Sequence, residues 1–386
     1  MNVREPSGHR KLKVAFLGGG IDSAVGQVHR IAIDMDLRYE LVAGCFGRDS
    51  DSNLRTAATY GVTKERVYAN LGDLLSAERK QIDAILILTP TDQHRGQVLD
   101  CIKSGVPVIC EKALARSSSD AREIKSALDQ TRGFLAVTYN YTGYPMLREL
   151  QHLIAQDHFG PISQIHIEMP QEGFARLDAE GNRPSPQDWR LRDGTSIPTV
   201  SLDLGTHVHS LIKFLTSASP RELVAIQDSF GHFDQVADNV LCIARYTNNL
   251  TSNVWYGKSA LGYRNGLRLR LFGKNGSAEW HQESPEYLHL ANVIGQKSTL
   301  DRGSSEAVIA NQTRYTRFKV GHPAGFIEAF ANYYSDVADA LEAYQRDQNA
   351  KFPPYVFGID EALQGLNMLE AITTSSNKKS WVTVST

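Results

Sequence analysis

The stretch Val14-Ala15-Phe16-Leu17-Gly18-Gly19-Gly20 decides the fold of this chain of 386 residues. Its four apolar residues predict a buried strand, and its three glycines predict the tight turn that ends the strand. A helical pattern over residues 23–35 follows, and a second apolar run covers residues 41–46. A strand, a glycine turn, a helix and a second strand make the βαβ unit that opens a doubly wound parallel sheet.

Outward from this unit, strands and helices go on alternating as far as residue 138. Beyond residue 145 several strands succeed one another without helices between them, which predicts antiparallel pairing. The predicted fold class is therefore α/β. It comprises an N-terminal doubly wound Rossmann domain over residues 1–142 and a C-terminal α+β domain with an open, largely antiparallel sheet over residues 143–386. The last predicted helix, at residues 360–375, is expected to pack back on the first domain. The later predicted strands cover residues 82–88, 106–110, 134–138, 162–169, 222–226, 239–246, 251–256 and 267–272.

The composition is that of an ordinary globular protein, with 41% hydrophobic and 22% charged residues. A formal net charge of −2 makes no electrostatic case for nucleic acid or for an anionic membrane surface. No stretch approaches the ~18 apolar residues that span a bilayer, and the polar first residues lack the apolar core of a signal peptide. Four cysteines without CxxC spacing indicate a reducing compartment, so we expect a cytoplasmic protein.

The glycine turn suits the phosphates of a dinucleotide. Glycines allow positive φ and close backbone approach, and the N-terminus of the following helix favours a pyrophosphate. Gly18 and Gly20 stand in the turn, and Ser23 either caps the helix or reaches a phosphate. The next glycine is Gly26, so the strict GxGxxG spacing is absent. A plain strand-to-helix turn is the alternative, but the position in an N-terminal βαβ unit favours a nucleotide.

Two further turns lie at the same predicted edge of the sheet. After the second strand, Arg48 either binds the 2′-phosphate of NADP, stacks on adenine or is a solvated loop residue. Asp49 comes one or two positions late for the carboxylate that reads the ribose of NAD. After the third strand, Thr89 and Pro90 precede a helix whose free N–H groups can meet a ligand, and His94 in its first turn is expected to face the crevice. A capping loop with an incidental histidine is the alternative.

A charged pair follows the strand at residues 106–110. Ligands of open α/β sheets bind outside the carboxyl ends of the strands, so Glu111 and Lys112 are expected to face a ligand. Lys112 is the candidate catalytic residue, against the alternative of a lysine whose stem lies along apolar surface. Glu111 is interpreted as a cofactor contact rather than as an acid catalyst.

A helix over residues 202–215 brings a carboxylate and an imidazole together. At ~100° per residue, Asp203 and His207 fall about 40° apart on one face, and the pair can hold one tautomer of the histidine as a general base requires. The HxH of His207 and His209 invites a metal interpretation. Residues two apart on a helix point in nearly opposite directions, so no metal site is expected, and His209 is interpreted as a partly exposed helix residue.

Together these residues resemble the Gfo/Idh/MocA oxidoreductases, which are NAD(P)-dependent enzymes acting on sugars and cyclitols. The resemblance covers nearly the whole chain. It has two departures, because the usual Glu-Lys-Pro reads Glu111-Lys112-Ala113 and because the glycine motif is stretched. The motifs that carry it are the glycine turn, Thr89-Pro90 with His94, Glu111-Lys112 and Asp203-x-x-x-His207.

The resemblance implies roles for individual residues. It implies that Lys112 and His207 are catalytic, that Asp203 joins them at the substrate, and that Gly18, Gly20 and Glu111 contact the cofactor. The Gly-Gly-Gly opening and later motifs are similar to a longer branch of the family. That branch implies a cofactor contact and several substrate contacts, each with local packing or loop anchoring as the alternative. These residues are Asn140 for the cofactor and Tyr141, Trp189, Arg190 and His322 for the substrate.

The implied activity is reversible oxidation of a secondary alcohol to a ketone by hydride transfer. The cofactor is NAD or NADP, with NAD favoured, the substrate is a sugar, sugar derivative or cyclitol, and a homodimer or homotetramer is expected. Two other classes stay open. One is a non-catalytic regulator that senses a dinucleotide or sugar on the same fold, and the other is a metal-dependent hydrolase centred on His207, His209 and Asp203.

Overall fold

The structure is a computed structural model that describes residues 10–191 and 196–385, without the side chains of Asp188 and Trp189. The chain divides into two compact units. Unit 1 comprises Met1–Ala115, Ser119–Asn140 and Phe326–Ala362. Unit 2 comprises Arg116–Ser118, Tyr141–Gly325 and Leu363–Thr386.

Unit 1 is built on a five-stranded parallel sheet with the order β2-β1-β3-β4-β5. Its central strands are buried on both faces, since all five residues of β3 are buried, as expected when helices cover a parallel sheet. This confirms the predicted doubly wound domain. The strands are β1 (Leu12–Gly18), β2 (Tyr39–Cys45), β3 (Ala84–Leu88), β4 (Val108–Glu111) and β5 (Leu135–Thr138), and the first helices are α1 (Gly26–Met35), α2 (Ser50–Tyr60), α3 (Leu71–Glu78), α4 (Thr91–Lys103) and α5 (Ser118–Thr131).

The glycine turn after β1 depends on the absence of side chains. Gly18 and Gly19 have φ of +81° and +71°, a conformation that residues with a Cβ rarely adopt. A Cβ on Gly26 would lie only 2.1 Å from the carbonyl oxygen of Gly19. Gly26 therefore lets α1 pack directly on the turn, although it lies outside the usual spacing. The helix begins at Gly26 rather than at Ser23, because the Ser23 Oγ accepts a hydrogen bond from the Gly26 N–H at 2.8 Å.

Unit 2 carries a nine-stranded sheet with the order β13-β12-β11-β10-β6-β9-β8-β7-β14. Every neighbouring pair is antiparallel except β6 and β9, which run parallel in the middle of the sheet. The open, largely antiparallel sheet is thereby confirmed. The strands are β6 (Ile162–Pro170), β7 (Pro220–Asp228), β8 (Asn239–Tyr246), β9 (Thr251–Gly257), β10 (Arg268–Gly273), β11 (Gly276–His281), β12 (Tyr287–Asn292), β13 (Lys297–Asp301) and β14 (Val382–Thr383).

The remaining helices are α6 (Pro145–Ala155), α7 (Thr206–Thr216), α8 (Phe326–Arg346) and α9 (Ile359–Lys378). The sequence pattern placed all of residues 143–386 in one second domain, whereas α8 belongs to unit 1. Aromatic side chains explain the difference, because the Tyr334 hydroxyl lies 2.5 Å from the His29 Nδ1 and the Tyr39 hydroxyl donates to the Tyr334 carbonyl at 2.7 Å. The helix that returns to unit 1 is therefore α8, while most of α9 lies in unit 2.

Unit 2 also departs from the predicted pattern at the start of α7. Residues Ser201–Gly205 form a π-helix that leads directly into α7. Strands β11, β12, β13 and β14 were not predicted. Across residues 10–191 and 196–385, no helix has the length and apolar character needed to cross a membrane.

Candidate active site

In unit 1, the charged pair lies where the sequence pattern placed it, at the carboxyl end of β4. Glu111 is the last, buried residue of the strand and Lys112 follows it, half-buried. The peptide bond from Lys112 to Ala113 is cis. Burial alone would raise the pKa of the Glu111 carboxyl, but contacts with His29, the charge of Lys112 and the Thr138 hydroxyl outweigh it and hold that pKa below its ordinary value. Glu111 is thus an ionised carboxylate.

His29 on α1 was not predicted as part of this arrangement. Its side chain is fully buried, and its Nε2 lies 3.2 Å from a Glu111 carboxylate oxygen, while Nδ1 lies 2.5 Å from the Tyr334 hydroxyl. The imidazole of His29 therefore lies between the carboxylate of Glu111 and the hydroxyl of Tyr334. The only sequence signal was a histidine on the inner face of an amphipathic helix, which is most often core packing.

His94 does not face a ligand as predicted. It is 1% exposed, and its two ring nitrogens contact the carbonyl oxygens of Ala113 at 2.8 Å and of Thr89 at 2.7 Å. Burial lowers the pKa of His94, although both carbonyls oppose this. This placement corrects the expected cofactor contact, because the imidazole ties the chain after Lys112 to the turn before α4. The neighbouring Thr89 hydroxyl donates to Gln97, and Pro90 occupies the N-cap position of α4.

Asn140, the last residue of the second segment of unit 1, has a buried side-chain amide whose hydrogen bonding is incomplete. The residue is 4% exposed, and its Nδ2 forms no hydrogen bond within the described part of the chain. Burying an amide donor without an acceptor costs free energy, so such a group in a native protein calls for an explanation. A ligand oxygen at the carboxyl edge of the sheet, where β5 has just ended, would supply the acceptor.

At the end of β2, the two candidate ribose-reading residues differ in their surroundings. Arg48 is exposed. Asp49 is the N-cap of α2, and its Oδ1 accepts a hydrogen bond from the Ser52 N–H at 2.7 Å. The Ser52 hydroxyl also lies 3.5 Å from a carboxylate oxygen of Asp22, and Asp51 stands in the first turn of the helix. Three carboxylates thus surround this turn.

In unit 2, His207 lies in the first turn of α7 and is 5% exposed. The ring of Tyr141 packs edge-on against the imidazole, with the ring centroids 4.6 Å apart. The Tyr141 hydroxyl accepts a hydrogen bond from the Asn265 Nδ2 at 3.0 Å, and burial raises the pKa of that hydroxyl. Tyr141, predicted from the family resemblance as a substrate contact, is therefore in direct contact with the predicted general base.

Asp203 is held by two cations. Its Oδ2 accepts a hydrogen bond from the Arg190 Nη1 at 2.9 Å and lies 2.6 Å from the Lys258 Nζ. Arg190 was predicted as a substrate contact and Asp203 as a catalytic residue, but their pairing was not predicted. Lys258 was missed altogether. Because Asp203 lies in the π-helical segment, the 40° angle predicted from α-helical geometry does not apply to Asp203 and His207.

His209 is buried rather than partly exposed. It is 3% exposed and its Nδ1 lies 3.4 Å from the Met368 sulfur. Burial, helped by the charge of Lys213, lowers the pKa of His209 to about 4. Residues 10–191 and 196–385 contain no group of three or more His, Cys, Asp or Glu side chains arranged to hold a metal ion.

The two remaining predicted substrate contacts lie in or beside unit 2 loops. His322 is exposed; its ring packs edge-on against Phe318, and its Nδ1 lies 3.3 Å from the Lys319 carbonyl. Trp189 falls in the short 3₁₀ helix Asp188–Leu191, but its side chain lies outside the described residues.

A parallel sheet with a glycine turn at its carboxyl edge, joined to a second unit with an open sheet, defines a Rossmann-type α/β protein. Residues 12–139 match the family described as "Oxidoreductase family, NAD-binding Rossmann fold", and residues 147–279 match the "GFO/IDH/MocA C-terminal domain". The chain belongs to the Gfo/Idh/MocA family of oxidoreductases. Family membership decides between the three function classes in favour of an oxidoreductase.

Three relatives illustrate how far the similarity extends. An uncharacterized oxidoreductase of Bacillus subtilis (strain 168) is 29% identical over 385 residues, which is 97% of each chain. The crystal structure of an oxidoreductase from Sinorhizobium meliloti is 30% identical, with a TM-score of 0.84, covering 97% of this chain and 100% of that one. An inositol dehydrogenase homolog from Azotobacter vinelandii, complexed with NAD⁺, is 25% identical, with a TM-score of 0.88 and 97% coverage of both chains.

Proposed function

We propose that the protein is an NAD-dependent dehydrogenase that interconverts a secondary alcohol of a sugar, sugar derivative or cyclitol and its ketone. The single observation that carries the proposal is found in unit 1. A glycine turn shaped for a dinucleotide and the half-buried Lys112 lie at the same carboxyl edge of one parallel sheet. A cation at that edge can stabilise negative charge on a substrate oxygen next to a bound cofactor.

The residues of unit 1 fit a dinucleotide. The positive φ of Gly18 and Gly19 and the close approach of Gly26 leave the turn without side chains, so a pyrophosphate can reach the backbone N–H groups at the start of α1. The buried, unpartnered Nδ2 of Asn140 supplies a donor for an oxygen of the cofactor. A nicotinamide dinucleotide held by these residues would supply the acceptor for the hydride released in the oxidation.

Three side chains are assigned the proton chemistry. His207 accepts the proton of the substrate hydroxyl as a general base, with its ring held edge-on by Tyr141. Lys112 is assigned to stabilise the negative charge that develops on the substrate oxygen, or to transfer the proton itself. Asp203, in the same unit as His207, is assigned to bind a further hydroxyl group or to orient the histidine. The roles of Lys112, His207 and Asp203 rest on the family resemblance of their motifs.

The choice of NAD over NADP is supported by the charges at the end of β2. Although Arg48 could meet a 2′-phosphate, Asp22, Asp49 and Asp51 surround the same turn and would repel it. We expect Arg48→Ala to change the affinity for NADH less than about threefold, because an exposed side chain contributes little. A titration of NADH and NADPH fluorescence with both proteins measures this, and tighter binding of NADPH by the natural protein would contradict the assignment.

The substrate class is proposed from the relatives. The solved relative from Azotobacter vinelandii is an inositol dehydrogenase homolog, and the family resemblance implies sugars and cyclitols. A hydroxyl-rich substrate also matches a site whose polar groups are the carboxylate of Asp203 and the imidazole of His207. All four cysteines are buried and free, which supports the proposed cytoplasmic setting.

We also propose a homodimer or homotetramer that covers the outer face of the nine-stranded sheet. Ile226, Leu241 and Ile243 are 55%, 45% and 46% exposed on the neighbouring strands β7 and β8. A contiguous apolar face of this kind is typical of a protein interface. Light scattering after gel filtration tests this with the double variant Leu241→Glu and Ile243→Glu, against Val293→Glu in an exposed hairpin tip. A natural protein that is already monomeric would contradict the proposal.

The decisive experiment combines binding with turnover. Thermal unfolding is measured with NAD⁺, NADH, NADP⁺, NADPH and Zn²⁺. NAD⁺ and NADH are expected to raise the unfolding temperature, which corresponds to about 2.7 kcal/mol of added stability at a ligand concentration of a hundred times Kd. The absorbance of NADH is then followed with a panel of inositols and sugars as substrates. A shift with zinc alone, or no turnover across the panel despite NADH binding, would overturn the proposed function.

A further inference from the structure

Lys258 stands at a position of unit 2 that the family motifs do not mark. Strands β6 and β9 are the only parallel neighbours in the described sheet of unit 2, and they end together, with Pro170 opposite Gly257. Lys258 follows directly on Gly257. Lys258 therefore lies at the carboxyl end of this parallel pair.

The structure fixes Lys258 firmly. Its N–H donates to the Asp238 carbonyl at 2.7 Å, and its own carbonyl accepts from the Phe174 N–H at 2.7 Å. The residue is 8% exposed, and its Nζ lies 5.6 Å from the centre of the Phe174 ring. A lysine ammonium that is nearly buried requires compensating charge. The carboxylate of Asp203, 2.6 Å away, provides it.

The π-helical segment brings Asp203 to this lysine. The Ser201 hydroxyl lies 2.8 Å from the Tyr256 hydroxyl, and a Cβ on Gly205 would lie 2.9 Å from the same oxygen. The π-helical segment therefore packs on Tyr256 at two points, Ser201 and Gly205, which lie two residues before and two residues after Asp203. Lys258 follows Tyr256 by two residues, just after the end of β9, and its Nζ reaches the carboxylate between the two anchors.

We infer that Lys258 is a positioning residue that holds Asp203 ionised and in a fixed orientation for the substrate; this rests on the proposed function. Asp203 Oδ2 meets two cations, Lys258 from the end of β9 and Arg190 from the preceding loop. Either cation alone would favour the charged carboxylate, and the two approach it from different parts of the chain. Ionisable groups near Asp203 also include Tyr141, whose pKa is raised mainly by burial and in smaller part by the Asp203 charge, and His207 in the following turn.

The test compares Lys258→Met with Lys258→Arg, and uses Lys297→Met, at an exposed lysine on β13, as control. We expect Lys258→Met to lower kcat/KM for the best substrate of the panel about 10- to 100-fold. Losing a neighbouring cation raises the pKa of a carboxyl, so the acidic limb of the pH profile is expected to move upward by about one unit. Lys258→Arg restores the limb at least in part, and NADH affinity stays unchanged in every variant. An unmoved acidic limb, or an arginine variant as impaired as the methionine variant, overturns the inference.

A second measurement separates this inference from the proposed function. Urea unfolding of Lys258→Met, Asp203→Asn and the double variant reports the coupling of the two groups without any substrate. If the decrease in the urea midpoint of the double variant equals the sum of the decreases in the two single variants, the inference is overturned even if the enzyme is active. Non-additive losses together with inactivity toward every substrate overturn the proposed function and leave the Lys258–Asp203 pairing standing.

Discussion

Two lysines occupy equivalent places in the two sheets, and their surroundings differ. Lys112 follows β4 in unit 1 and Lys258 follows β9 in unit 2, so each comes directly after a strand with a parallel neighbour. Lys112 is half-buried and comes after Glu111, whose carboxylate is stabilised by His29, by the charge of Lys112 and by the Thr138 hydroxyl. Lys258 is nearly buried and is in contact with Asp203.

The comparison shows how one position in a sheet can serve two purposes. A strand end beside a parallel neighbour presents a lysine ammonium in both cases. Under the proposed function, Lys112 acts on a substrate. A lysine that is itself the partner of a carboxylate positions that carboxylate instead.

The largest expected effect separates the two lysines by the same substitution. Lys112→Met is expected to lower kcat by ~10²–10⁴, the usual contribution of a group that acts on the reacting atoms, while NADH affinity changes little. Lys258→Met is expected to cost less. Steady-state kinetics and NADH fluorescence measure both, with Lys103→Met, an exposed residue at the end of α4, as control. Equal losses in the two variants would break the comparison.

A second prediction tests the glycine turn after β1 independently of the two lysines. The Cβ of Gly26→Ala would lie 2.1 Å from the Gly19 carbonyl, so the turn must shift. We expect NADH to bind at least about 10-fold more weakly, since the backbone N–H groups move away from the phosphates. Gly96→Ala is the matched control, because Gly96 lies inside α4 and nothing lies within 4 Å of the position that its Cβ would take.

The control carries its own expectation. Alanine in a helix interior is favoured over glycine by roughly 0.8–1 kcal/mol, so Gly96→Ala is expected to bind NADH normally and unfold at slightly higher urea. If Gly26→Ala also binds NADH normally, the glycine turn does not hold the cofactor.

The third prediction, with the smallest expected effect, concerns His209, which is buried on α7 two residues after His207. Burial lowers the pKa of His209 from 6.5 to about 4. As pH falls below 6.5 the unfolded chain therefore binds a proton before the folded protein does. Stability is then lost progressively between pH 6.5 and about 4. At pH 5 the loss amounts to roughly 2 kcal/mol.

His209→Leu is expected to remove this part of the acid sensitivity. Urea midpoints at pH 7.5 and pH 5 measure the difference, and His158→Leu, at an exposed histidine, serves as control. The variant keeps some sensitivity to acid, because burial also lowers the pKa of His94. An unchanged pH dependence would show that His209 is protonated in the folded protein, as a residue open to solvent would be.

Much of unit 1 could be predicted because local pattern and position coincide there. The apolar strands of a buried parallel sheet stand out, and the rule that ligands meet their carboxyl ends pointed directly to Lys112. His29 could not be found, since its contact with Glu111 depends on how α1 packs across β4. His94 was misplaced for a related reason, because the sequence does not show that two carbonyl oxygens lie within reach of its ring.

Unit 2 was less predictable, since its important contacts join distant segments. Arg190 and Asp203 were both identified by the resemblance, yet their pairing required the fold of the loop. Lys258 could not be found, since its contact with Asp203 depends on how the end of β9 lies beside the π-helical segment. A run of strands without helices predicts antiparallel neighbours, so the parallel pairing of β6 with β9 was not expected.

The path of the chain has a consequence for biosynthesis. Unit 1 includes Phe326–Ala362, so its last segment is made only after all of Tyr141–Gly325 has left the ribosome. Until then the His29 imidazole and the Tyr39 hydroxyl lack Tyr334, which contacts both. Domains usually fold in order of synthesis. Here the parallel sheet of unit 1 is completed only by a helix that is synthesised after Tyr141–Gly325, and a gene fragment ending at residue 142 encodes an incomplete unit.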